Sequence, residues 1–66
     1  MRVILNGETT DVAERLALAS LLQQLKLGER RLAVELNGAI VPRSTWREVS
    51  LADGDRVEIV HAIGGG

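Results

Sequence analysis

Residues 13–28 have the sequence AERLALASLLQQLKLG, and they decide the fold because they carry the only helical pattern in the chain. Four leucines follow the spacing i, i+3, i+4, i+7, which places side chains along one face of an α-helix. These are Leu18, Leu21, Leu22 and Leu25. Polar side chains fall mainly on the other face, and Gly28 is a typical C-terminal stop. The spacing therefore predicts one amphipathic helix whose leucine face is buried.

A β-hairpin is predicted before this helix. The aliphatic run 2–5 is followed by Asn6-Gly7 and then by the threonine-containing segment 8–12. An Asn-Gly pair between extended segments favours a type I′ turn, because both central residues of that turn need a positive φ.

A second Asn-Gly pair, at positions 37 and 38, predicts another hairpin after the helix. It joins a strand at 32–36 to a short strand at 39–41, and Pro42 ends the latter because proline cannot donate to a β-ladder. Val34 and Leu36 share one face of the longer strand. We expect the turn that follows to place Trp46 over the open end of the core.

The last predicted strand covers residues 56–63 and follows the turn at Asp53-Gly54. Its alternation directs Val57 and Ile59 inward. Residues 58, 60 and 62 then face outward.

One helix among these strands predicts an α+β fold, in which a mixed sheet of four or five strands packs on one main helix. The helix can act as the crossover that sets the first and last strands side by side and parallel in the centre. This arrangement is the β-grasp, or ubiquitin-like roll. We expect one domain at 1–63 and a flexible glycine tail at 64–66.

Composition excludes several classes of function. The 66 residues contain no cysteine and one histidine, so a thiol nucleophile and a multi-histidine metal site are ruled out. A net charge of −1 argues against a nucleic-acid binder, and Arg30-Arg31 is interpreted as a solvated turn. No run approaches the ~20 apolar residues of a membrane span. We expect a cytoplasmic protein that binds no cofactor or metal and is not itself an enzyme.

Two polar features have structural interpretations. Asp53 and Asp55 are expected to form a turn rather than to bind a metal, because further ligands are missing nearby. His61 is interpreted as a partly exposed strand residue, and its alternative role is to orient a partner's contact with the tail.

The segment 61–66, HAIGGG, is the part of the chain that could take part in a reaction. Residues 62–66 could extend about 17 Å at ~3.4 Å per residue. Gly64 and Gly65 have no side chains and could pass through a narrow channel, while Gly66 would present a carboxylate. From composition alone, a carrier arm and a frayed end or cloning remnant remain equally open.

Two segments closely resemble the ThiS family, the sulfur carriers of thiamine biosynthesis: ELNGAIVPRSTW at 35–46 and LADGDRVEIVHAIGGG at 51–66. The resemblance covers nearly the whole chain, and it is least typical at TTDVAERLALA, residues 9–19. The matching positions are Asn37, Val41, Pro42, Arg43, Trp46, Gly54, Asp55, Val57, Ile59, Gly65 and Gly66.

This resemblance implies a cycle of chemistry at Gly66. A ThiF-like adenylyltransferase would activate the carboxylate with ATP. A persulfide donor, either a cysteine desulfurase or a relay protein, would then convert it to a thiocarboxylate. The thiazole synthase ThiG would take the sulfur, with Gly64 and Gly65 threaded into the partner's active site.

A partner-contact face is predicted on the outward side of the sheet. Val60 and Ala62 face away from the helix, Ile4 is expected beside them, and Ile63 continues toward the tail. The alternative is ordinary exposed apolar surface.

Three alternative functions stay open. One is a carrier like the small subunit of molybdopterin synthase, and another is a ubiquitin-like modifier that forms isopeptide bonds. The third is an interaction module with an inert tail.

Overall fold

The computed structural model describes residues 1–28 and 30–61. Within them the chain forms five strands, one α-helix and one 3₁₀ turn at Arg43–Thr45. The elements are β1 (Arg2–Leu5), β2 (Glu8–Asp11), α1 (Leu18–Gln24), β3 (Leu32–Leu36), β4 (Ala39–Ile40) and β5 (Arg56–His61).

The five strands form one mixed sheet in the order β2-β1-β5-β3-β4. The central pair β1 and β5 is parallel, and every other neighbouring pair is antiparallel. Helix α1 provides the crossover that a parallel pair requires. The predicted β-grasp fold is confirmed.

The core lies between α1 and one face of the sheet. Its buried residues come from alternate strand positions, from α1 and from the long connection before β5. They are Val3, Leu18, Leu21, Leu22, Val34, Trp46, Leu51, Val57 and Ile59. The predicted inward positions Val57 and Ile59 are therefore confirmed, and on β3 Val34 is buried while Leu36 is partly buried against the core. The core is entirely apolar apart from the indole N–H.

Helix α1 is shorter than its sequence pattern predicted. It begins only at Leu18, because Ala17 is extended and forms a β-bridge with Ser50. Leu18 N–H donates to Val49 O at 2.8 Å, which ties this start to the segment before β5. Arg15, with φ 58°, also lies outside the helical region.

The predicted stop at Gly28 was wrong, because the chain leaves the helix at Lys26 with φ 62°. Lys26 N–H donates to Gln23 O and Leu27 N–H donates to Leu22 O, which together form a Schellman motif. Leu25 caps the helix and is 39% exposed, so its predicted place in the buried stripe was also wrong.

Trp46 closes the core as predicted and is only 5% exposed. Its Nε1–H donates to Val41 O at 2.9 Å, so the buried indole has a hydrogen-bond partner.

No helix in the described part of the chain is long and apolar enough to cross a membrane.

Candidate functional site

Strand β5 is the structural support of the predicted tail, because it is the last element before residues 62–66. The first residues of β5 pair with a strand on each side, since Val57 lies opposite Leu5 of β1 and opposite Leu36 of β3. Its end pairs with β3 through His61 and Leu32. The exposed His61 is thus held in the sheet up to the point where the described residues end.

The two turn asparagines clamp β5 from its two sides. Asn6 Oδ1 accepts a hydrogen bond from Ile59 N–H at 2.8 Å, on the side of β1. Asn37 Oδ1 accepts from Arg56 N–H at 2.9 Å, on the side of β3, and its Nδ2 donates to Asp55 Oδ1 at 3.0 Å. In both contacts a side-chain amide oxygen accepts the hydrogen bond that a main-chain carbonyl of a neighbouring strand would otherwise accept.

The same asparagines occupy the positive-φ region predicted for their turns, with φ 47° at Asn6 and 52° at Asn37. Asparagine tolerates this conformation better than most residues do. The turn pattern in the sequence predicted the backbone conformation and gave no sign of the contacts with β5.

The carboxylates of the two aspartates before β5 accept hydrogen bonds from main-chain N–H groups, one on β1 and one within the turn. Asp53 Oδ1 accepts from Arg2 N–H at 2.8 Å, and Asp55 Oδ2 accepts from Ala52 N–H at 2.7 Å. Among residues 1–28 and 30–61, no three His, Cys, Asp or Glu side chains form a group that could hold a metal ion.

The outward face of the sheet carries exposed apolar side chains near the end of β5. Val60 is 58% exposed and lies opposite the exposed Ala33 of β3. Ile4 pairs instead with Arg56, four residues and about 13 Å along the strand from Val60. The prediction that Ile4 lies beside Val60 was wrong, because the parallel register sets Ile4 beside Arg56, at the start of β5.

The tail residues of the predicted site lie outside the described residues, as do the two tail-proximal members of the contact face. They are Ala62, Ile63, Gly64, Gly65 and Gly66. Their roles, and the domain boundary at 63, stay predictions.

A basic groove of about 770 Å³ lies on the helix side of the molecule. The sequence did not predict this cluster of positive charge. Four of its lining side chains are cationic: Lys26, Arg30, Arg43 and Arg47. They come from the segment between α1 and β3 and from the 3₁₀ turn region, so their proximity depends on the tertiary fold. Only their positive charge is visible in the sequence.

Arg43 fixes one corner of this groove. Its guanidinium donates to Gly28 O at 3.1 Å and also to Arg30 O, and its central carbon lies 4.8 Å from the centroid of the Trp46 ring. This geometry combines a cation–π contact with two carbonyl acceptors. Arg43 and Trp46, which both belong to the segment that resembles the ThiS family, therefore connect the chain before β3 to the core.

Comparisons with known proteins agree with this architecture. The model of the ThiS family matches residues 3–66. The sulfur carrier protein ThiS of Escherichia coli is 30% identical, and the match covers all of both chains. The crystal structure of the thiamine biosynthesis protein ThiS from Geobacter metallireducens superposes with a TM-score of 0.87 at 36% identity, again over all of both chains.

A thiazole synthase of Paramagnetospirillum magneticum is 41% identical over all 66 residues of this chain. A second one, from Magnetococcus marinus, has the same identity over the same length. The chain spans only 20% of the length of these two relatives. The family match over 3–66, the helix-crossed sheet with β5 at its centre, and the whole-length likeness to a solved ThiS structure lead to one conclusion: this chain belongs to the ThiS family.

Proposed function

We propose that this chain carries sulfur for the synthesis of the thiamine thiazole, with the sulfur bound at Gly66. The observation that carries the proposal is the family match, which extends through the glycine tail to residue 66. A relative that matches over its whole length is itself named a sulfur carrier protein.

The chemistry begins with activation, because a carboxylate is a poor electrophile. The Gly66 carboxylate attacks the α-phosphorus of ATP on a ThiF-like adenylyltransferase, forming an acyl adenylate and releasing diphosphate. The terminal sulfur of a persulfide donor, a cysteine desulfurase or relay protein, attacks the acyl carbon and displaces AMP. A thiol then cleaves the resulting acyl disulfide, which leaves a thiocarboxylate on Gly66 and a disulfide on the thiol side.

In this cycle the described residues present the tail, and partner enzymes bind the ATP and catalyse the steps. Asn6 and Asn37 hold β5 in register, so residues 62–66 start from a fixed point after His61. Fully extended, those five residues reach about 17 Å at ~3.4 Å each. Gly64 and Gly65 lack side chains, which suits them to a narrow channel in a partner.

The proposed sulfur acceptor is the thiazole synthase ThiG. Support comes from the two thiazole synthase relatives, a fifth of whose length matches this entire chain. We place Val60, Ala62 and Ile63 in the contact with the partners, because Val60 is exposed on the strand that leads to the tail. Ile4 lies too far along β1 to share one compact patch with Val60. The cycle is placed in the cytoplasm, where ATP is available.

Intact-mass spectrometry tests the carrier assignment. The chain is incubated with its cognate adenylyltransferase, ATP and a persulfide donor, and we expect exchange of one oxygen for sulfur at Gly66. A variant lacking Gly66 is the matched control: it still ends in a glycine carboxylate, at Gly65, but its tail is shorter by about 3.4 Å. We expect it to fold normally, to stay unmodified and to fail to support thiazole formation.

The other outcomes identify the alternative functions. Covalent conjugates to other proteins would indicate a modifier, and sulfur transfer to a pterin precursor instead of the thiazole would indicate a molybdopterin-type carrier. If an adenylyltransferase that is active on a reference carrier leaves this chain unchanged, the carrier assignment is refuted. Thiazole formation by the variant lacking Gly66 would refute the assignment of the sulfur to Gly66.

A further inference from the structure

We propose that the basic groove docks an acidic surface, formed by Asp and Glu side chains, on the thiazole synthase that receives the tail. The proposal rests on the function proposed above, and it adds a second contact site on the helix side of the molecule. It is separate from the outward sheet face that carries Val60.

The groove concentrates positive charge in a chain whose net charge is −1. Four of the eight lysines and arginines line it. The salt bridges found within 1–28 and 30–61 lie elsewhere, joining the N-terminus to Glu14 and Arg2 to Asp11. The groove is therefore a local positive region that complements a negative partner.

One corner of the groove is rigid before any partner arrives. Arg43 is held by two backbone carbonyls and by the ring of Trp46, so it loses little side-chain entropy on binding. A guanidinium has five N–H donors, and these two bonds leave about three for a carboxylate. A planar fork of this kind suits bidentate binding of a carboxylate.

The position of the groove connects it to the tail. Arg30 lies two residues before Leu32, and Leu32 is the β3 partner of His61. The groove thus reaches the same end of the sheet from which residues 62–66 continue. The Arg30 side of the groove therefore lies toward the end of the sheet that a protein taking up the tail would approach.

A protein surface fits the groove better than a small anion does. The four basic residues are all exposed, so salt and water would screen a lone phosphate held there. A docked protein surface excludes water and supplies several carboxylates at once. The acidic surface is therefore the occupant that the exposure and charge favour.

Charge reversal tests the proposal with a matched control. Lys26→Glu and Arg47→Glu reverse exposed charges in the groove, while Arg15→Glu makes the same change outside it. Arg15 is a close match for Lys26, because both are exposed and both have a positive φ, 58° and 62°. The dissociation constant for the cognate thiazole synthase is measured by calorimetry at low salt and at about 0.15 M salt.

Each groove reversal is expected to weaken binding roughly threefold to tenfold at low salt, with a smaller effect at higher salt, while Arg15→Glu changes it little. Thermal unfolding checks that all variants are folded. In an isotope-labelled chain, the single indole N–H signal of Trp46 should shift when unlabelled synthase is added.

Equal dissociation constants for all three variants would overturn the proposal. So would competition by inorganic phosphate at matched ionic strength, which would make the groove a small-anion site. Removing Gly66 should abolish sulfur transfer and leave the groove contact intact, so the two proposals fail separately. If the unaltered chain does not bind the synthase, the partner assignment and the docking proposal are both refuted.

Discussion

Replacement of Asn6 provides a quantitative test of how β5 is held. In Asn6→Ala, the part-buried Ile59 N–H loses its acceptor at 2.8 Å, which costs about 1–3 kcal/mol. Alanine must also adopt φ 47°, at a cost of about 1–2 kcal/mol. The sum is roughly 2–5 kcal/mol, against about 3–10 kcal/mol for the unfolding of a 66-residue chain.

Asn6→Gly separates these two contributions, because glycine adopts the turn freely but supplies no side-chain acceptor. We expect Asn6→Gly to be destabilised by about 1–3 kcal/mol and Asn6→Ala by about 1–2 kcal/mol more. Urea unfolding followed by Trp46 fluorescence measures both values. Hydrogen exchange should show reduced protection of the Ile59 amide in both variants.

Full protection of the Ile59 amide in Asn6→Gly would show that the Asn6 side chain does not hold β5. The same would follow if Asn6→Gly were as stable as the unaltered chain. Equal stabilities of the alanine and glycine variants would refute only the contribution assigned to φ.

Three further predictions concern the core, the groove corner and the sheet face. Leu22→Ala should lower the free energy of unfolding by about 2–5 kcal/mol, measured in urea, because Leu22 is fully buried; a loss below 1 kcal/mol would contradict this packing. Arg43→Met should lower it by about 1–3 kcal/mol and shift the Trp46 emission, because the carbonyl bonds and the cation–π contact are lost. An unchanged emission spectrum would argue against the stacked geometry. Val60→Ser should change stability by less than about 0.5 kcal/mol yet weaken binding to the thiazole synthase several-fold, by calorimetry, and unchanged binding would remove Val60 from the contact face.

The sequence predicted features that depend on local patterns. Alternation placed Val57 and Ile59 inward, and the Asn-Gly pairs located the hairpins, because both signals act over a few neighbouring residues. The start of α1 escaped prediction because Ala17 pairs with Ser50, a contact between distant segments. At its other end, Lys26 took the left-handed position that the pattern assigned to glycine.

The candidate site also combines features that local sequence patterns predict with features that depend on contacts between distant segments. Residues 64–66 were predicted as the reactive tail from composition and family resemblance, which need no tertiary information, and they stay a prediction. The Asn6 contact spans 53 positions in the sequence, so no local pattern could indicate it. The basic groove likewise assembles charges from separate segments, and its members look like ordinary solvated residues until the chain is folded.

The central position of β5 has a mechanical consequence. A partner that pulls on the tail applies its load along the axis of a strand that pairs with antiparallel β3 over residues 57–61 and with parallel β1 at its start. Force in that direction shears several hydrogen bonds at once, whereas an edge strand could be peeled away one bond at a time. The pairing of β5 should therefore resist a pull on the tail, which the proposed transfer between partner enzymes requires.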